Sequence, residues 1–129
     1  IILRMKNINI YPIVSSLHDS EYIISQRNKL LEELTSLTGY SFKITSIDDL
    51  YKGDFALILV ESGGSENYFL QVEDKLKEPF VFLTYMHNNS LAASLEILAY
   101  LKRHHKKGEI LHGQPSLISK RIIELMEKK

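Results

Sequence analysis

No cysteine occurs among the 129 residues, which excludes disulfides, thiolate zinc sites and a cysteine nucleophile together. That absence accords with a reducing cytoplasm, where the chain is expected to reside. No apolar run approaches the roughly 20 residues that cross a bilayer as a helix, so no membrane partner is expected. The opening residues, Ile1-Ile2-Leu3-Arg4-Met5-Lys6, lack the apolar stretch and small-residue cleavage site of a secretory signal. An excess of one charge is missing too, since 16 Lys plus Arg stand against 16 Asp plus Glu. Such a balance offers no broadly basic surface to nucleic acid and no polyanionic tail. Internal repeats, low-complexity tracts and linkers are also lacking, so residues 1–129 read as one domain.

What is present is a globular composition, 44% hydrophobic and 25% charged, on a chain long enough for one real core. Two kinds of segment alternate along it. Asn7 to Ser15 reads as a first strand, with Pro12 as a blemish. Ser20 to Leu37 has helical spacing: Ile23, Ile24, Leu30, Leu31, Leu34 and Leu37 are expected on the buried face, and Glu21, Arg27, Lys29, Glu32 and Glu33 in water. Ser20 is the expected N-cap and Gly39 the expected stop. Ser41 to Ile47 alternates apolar and polar residues, as an edge strand does.

Phe55 to Val60 (FALILV) is an unbroken apolar run of strand length, the pattern of a strand buried on both faces. Phe80 to Leu83 (FVFL), opened by Pro79, repeats it. A helix over Ser65 to Leu76 is expected between them, and a short link, Asp48 to Gly53, before the first of the two. Asn89 to Lys102 predicts a long helix whose sheet-facing residues are Leu91, Leu95, Leu98 and Leu101, with Ala92, Ala93 and Ala99, and which Gly108 ends. Glu109 to Leu111 predicts a last strand and Ser116 to Met126 a last helix opened by Pro115. Parallel strands joined by helical crossovers give a three-layer, doubly wound α/β domain with a five-stranded sheet in flavodoxin-like order 2-1-3-4-5.

In such a sheet ligands bind beyond the carboxyl ends of the strands, above all where the strand order reverses. The residues expected there are Ser15, Ser16, His18 and Asp19 after the first strand, and Glu61, Ser62, Gly63, Gly64 and Ser65 after the third. Thr84, Tyr85, His87, Asn88, Asn89 and Ser90 follow the fourth, and His112 and Gly113 the fifth. Two glycines between a buried strand and a helix let the backbone turn sharply and approach a ligand. The spacing is neither a P-loop nor a dinucleotide fingerprint, and a tight turn with Ser65 as N-cap is the plain alternative. One of Asn88 and Asn89 is accounted for as an N-cap. A second Asn, a His and Thr84 beside it exceed what a cap needs and suit the hydroxyls of a sugar.

His104 and His105 are no metal pair, because adjacent helical residues point about 100° apart and their neighbours are cations. No catalytic set is assigned: Ser62, His87 and Asp19 lack a nucleophile-elbow motif, and no spacing singles out Glu61, His18 and His87 as metal ligands. A response-regulator receiver would carry an acidic pair after the first strand, an Asp after the third and a Lys after the fifth. Here those places hold Ser15-Ser16, Glu61 and His112. The first strand also lacks the Ser/Thr-rich phosphate loop of a flavin module.

The stretch Pro79 to Gly113 resembles the first-domain segment of the L-fucose isomerase and L-arabinose isomerase-like sugar isomerases. It matches in the strand Phe80 to Leu83, the turn Asn89-Ser90-Leu91, the Ala-rich helix Ala92 to Leu101, and the short strand Ile110 to Gly113. The resemblance implies a substrate-recognition and assembly domain at the start of a longer, oligomeric aldose–ketose isomerase, contacting a sugar and later domains. It also implies that the divalent metal, commonly Mn²⁺, and the catalytic carboxylates lie in those later domains, with no cofactor in this chain. The alternative is a free-standing flavodoxin-like module for a small ligand or for regulation.

Overall fold

A computed structural model describes residues 5–13, 21–61, 65–84 and 88–128, with backbone alone at Asn88 and Asn89. Five strands, β1 (Asn7–Ile13), β2 (Ser41–Ile44), β3 (Phe55–Val60), β4 (Phe80–Leu83) and β5 (Gly108–Leu111), form one sheet in the order β2-β1-β3-β4-β5. All four pairings are parallel. Four helices accompany them: α1 (Glu21–Thr38), α2 (Ser65–Val72), α3 (Asn88–Arg103) and α4 (Pro115–Glu127). This is the flavodoxin-like arrangement that the apolar pattern predicts. None of the described helices is long and apolar enough to cross a membrane.

Strand alternation sorts the apolar runs into two cores. Leu57 and Leu59 of β3 join Ile8, Ile10, Val81 and Leu83 beneath Leu30 and Leu34 of α1 and Ile118 and Ile122 of α4. Ile58 and Val60 point the other way, with Phe80 and Phe82, toward α2 and α3. There Phe69 sets its ring edge-to-face against Phe80 and Phe82, with centroids 5.6 and 5.7 Å away, a geometry that aromatic quadrupoles favour. The FALILV run is apolar throughout because both of its faces are roofed.

Several boundaries and faces differ from those the sequence predicts. β1 is described only to Ile13, residues 14–20 lying outside the described part with the expected cap Ser20. β2 stops at Ile44, and Ile47–Lys52 winds into a 3₁₀ turn that buries Leu50, so Ile47 joins the crossover instead of the strand. α2 tightens after Val72 into a 3₁₀ turn, Glu73–Lys75, before the expected end at Leu76.

In α1, Ile24 and Leu37 are exposed, while Arg27, expected in water, is half-buried. Ile23, Arg27, Leu30 and Leu34 fall at i, i+4, i+7 and i+11, the spacing of a single stripe. The larger correction is in α3. Ser90, Ala93, Ser94, Ile97 and Leu101 meet the sheet, and Leu95 is 52% exposed. Small hydroxyl residues fit the close helix–sheet contact because Ser94 returns its proton to the Ser90 carbonyl at 2.9 Å.

Gly39, at φ 75°, ends α1 as expected, its N–H reaching the Thr35 carbonyl. Gly108 does not end α3; it is the first residue of β5. The stop is His105 at φ 56°, with Lys106 N–H bonded to Leu101 O and His105 N–H to Lys102 O. That pair of bonds is a Schellman motif with histidine in the position usually held by glycine.

Candidate functional site: the carboxyl rim of the sheet

All strands of a parallel sheet end at the same edge, and the residues that follow form a rim. β1 and β3 are neighbours although β2 lies between them in the chain, so the order reverses there. The described rim contains Glu61, Ser65, Thr84, Ser90 and His112.

Glu61 follows Val60 directly and turns, by alternation, toward the α1 side. It is a carboxylate with 1% of its surface exposed, a position that needs a partner. Arg27 of α1 supplies one in a two-bond fork, Nε to Oε2 at 3.1 Å and Nη2 to Oε1 at 2.5 Å. This side-on fork is a charge-assisted, bidentate contact, stronger and more specific in geometry than a single neutral hydrogen bond. Arg27 is the residue of this rim that sequence reasoning missed. Its place within the apolar stripe of α1, between Ile23 and Leu30, was the available signal.

Ser65 and Ser90 are both fully buried. The Ser65 hydroxyl donates to the Ile13 carbonyl, the last of β1, at 3.3 Å, and the Ser90 hydroxyl to the Val60 carbonyl, the last of β3. These residues tie the openings of α2 and α3 to the strand ends and satisfy carbonyls that the ladder leaves over. α2 opens at Ser65 and α3 at Asn88, so Ser65, Asn88 and Asn89 lie in first helical turns instead of at the expected cap positions.

Thr84, also buried, sits where β4 meets β5. Its N–H bonds the Leu111 carbonyl at 3.0 Å, and its Oγ1 lies 2.6 Å from His112 Nδ1 and 3.4 Å from Leu111 O. If the threonine proton goes to the carbonyl, Nδ1–H donates to Oγ1 and Nε2 becomes the basic nitrogen of an exposed imidazole. His112 was expected at this rim without a role. Its tie to Thr84 orients it.

Ser15, Ser16, His18, Ser62, Gly63, Gly64 and His87 lie outside the described residues, as do the side chains of Asn88 and Asn89. The structure therefore brings together Glu61, Ser65 and Ser90 around the β1–β3 junction and places Thr84 one strand away. Among the described residues no group of three His, Asp or Glu is placed to hold a metal ion. The described part thus offers no donor set for Mn²⁺.

A concavity of about 550 Å³ lies over β1 and β2, away from the rim. The crossover from β2 to β3 is a 3₁₀ turn, so no described α-helix roofs β2 and the start of β1 on that face. Its floor is polar: Asn7, Asn9, Lys43 and Thr45, with Lys52 paired to Asp49 at 2.8 Å on the wall. Asn9 is buried there, donating to the Asp49 carbonyl at 3.0 Å.

Fold and rim together define a flavodoxin-like α/β domain with buried polar side chains at its topological switch point. No family model, no curated protein and no solved structure matches the chain.

Proposed function

We propose that this chain is the ligand-recognition domain of an aldose–ketose isomerase of the L-fucose and L-arabinose type, holding a sugar along the carboxyl rim without isomerising it alone. One observation carries the reading: Glu61, with its Arg27 partner, and Ser65 and Ser90 gather where the strand order reverses, which is where open α/β sheets take small ligands. The Arg27 guanidinium and the oriented His112 imidazole are hydrogen-bonding groups of the kind that recognise hydroxyls. The resemblance of Pro79 to Gly113 supplies the narrower identification. On that reading metal and proton-transfer residues belong to later domains, and a cytoplasmic, oligomeric setting comes with them.

The test is a ¹H–¹⁵N titration of the chain with L-fucose and with L-arabinose. Saturable shifts are expected at the amides of Glu61, Thr84 and His112. Shifts confined to the polar floor at Asn7, Lys43 and Thr45, or none at all, refute the reading.

A further inference from the structure

We infer that Arg27, not Glu61, is the residue of the Arg27–Glu61 pair that meets the ligand, and that it selects an uncharged, hydroxyl-rich one; this rests on the sugar-recognition reading above. A guanidinium carries five N–H donors. Two are given to Glu61, one from Nε and one from Nη2. Both hydrogens of Nη1 and the second of Nη2 remain, with no hydrogen bond to another acceptor among the described residues.

Exposure divides the pair the same way. The Glu61 side chain is 0% exposed and that of Arg27 is 15%. The carboxylate is closed to a ligand, and whatever solvent reaches of the pair belongs to Arg27. Glu61 then acts as the clamp. It neutralises the guanidinium and fixes its plane, so the remaining donors are ordered before a ligand arrives, which lowers the entropy lost on binding.

Neutralisation also decides the kind of ligand. A free arginine favours phosphate or carboxylate, whose charge it offsets. This one is already offset by a buried carboxylate 2.5 Å away, so an incoming anion meets no net positive charge. Hydroxyl oxygens accept the spare N–H bonds without bringing charge to the rim. The stripe on α1 favours such a contact, since Arg27, flanked by Ile23 and Leu30, sends only its tip past the core to the end of β3.

The experiment compares the parent chain with Arg27→Lys and with the double variant Arg27→Met/Glu61→Leu. Each is titrated by ¹H–¹⁵N NMR with L-fucose, L-arabinose and inorganic phosphate, and each is melted to check folding. Arg27→Lys keeps a cation opposite Glu61 but loses the fork. It is expected to raise the sugar Kd about tenfold or more, the effect of losing a hydrogen bond to a charged group. The double variant replaces the whole pair by apolar side chains, an exchange that folds tolerate, and is expected to lose sugar binding while melting cooperatively. Should Arg27→Lys not fold, the double variant decides alone. Sugar binding by either folded variant within about twofold of the parent overturns the inference and leaves the recognition reading standing. Phosphate binding tighter than sugar overturns the selection of a neutral ligand. If neither sugar binds the parent, both fall.

Discussion

At the scale of single residues, His105 shows what a side chain costs in the wrong backbone region. At φ 56° its Cβ crowds the following carbonyl, a strain of about 1 kcal/mol or slightly more that glycine does not bear. His105→Gly should therefore stabilise the chain by about 1 kcal/mol, read as a higher urea midpoint at unchanged slope. An unchanged or lower midpoint would mean that the histidine ring contributes contacts that offset the strain. Ser90 makes the opposite case. Its hydroxyl is buried and bound to the Val60 carbonyl, so Ser90→Ala should cost about 1–3 kcal/mol, measured by the same midpoint.

The helices and strands show how far the sequence can be read, and where reading stops. β3 and β4 fall on the residues their apolar runs mark, because a strand roofed on both faces can hardly be anything else. Helix α3 was legible in extent and not in phase. Counting leucines points to Leu91, Leu95, Leu98 and Leu101, of which the sheet takes Leu101 alone, together with the expected Ala93 and with Ser90, Ser94 and Ile97. Ser90 and Ser94 satisfy their own hydroxyls on nearby carbonyls and leave a small surface for close packing. The two phases make opposite predictions: Ile97→Ala should cost about 2–5 kcal/mol and Leu95→Ala less than about 0.5 kcal/mol. Equal costs by chemical unfolding would contradict the observed phase. At the rim, Glu61 was legible from its place after a buried strand. Its partner was not, because Arg27 lies 34 residues away in sequence and only the fold brings them together.

For the whole molecule, one carboxylate ties several elements together at the end opposite the rim. Glu73 accepts the Tyr100 hydroxyl at 2.8 Å and the Lys106 ammonium at 2.7 Å, joining the end of α2 to the end of α3 and the approach to β5. Burial alone would raise the Glu73 carboxyl, but the Lys106 and Tyr100 hydrogen bonds outweigh it and hold it below its usual 4.5. A carboxylate depressed in the folded state lends stability above its unfolded value and loses it as the pH falls through the folded one. Stability should therefore drop below about pH 4.5, and Glu73→Gln should flatten that part of the pH profile of urea midpoints. A profile of the same slope in the variant would assign the acid limb to other carboxyls.

The missing helix between β2 and β3 has a consequence for motion. β2 hydrogen-bonds to β1 alone, over Ser41 to Ile44, and only its α1 side is covered, through Phe42 and Ile44. The cost of detaching it is accordingly low, and it should open as a unit while β1, β3 and β4 stay closed. In deuterium exchange, the amides by which β2 holds β1 should therefore wash in well before those between β1 and β3.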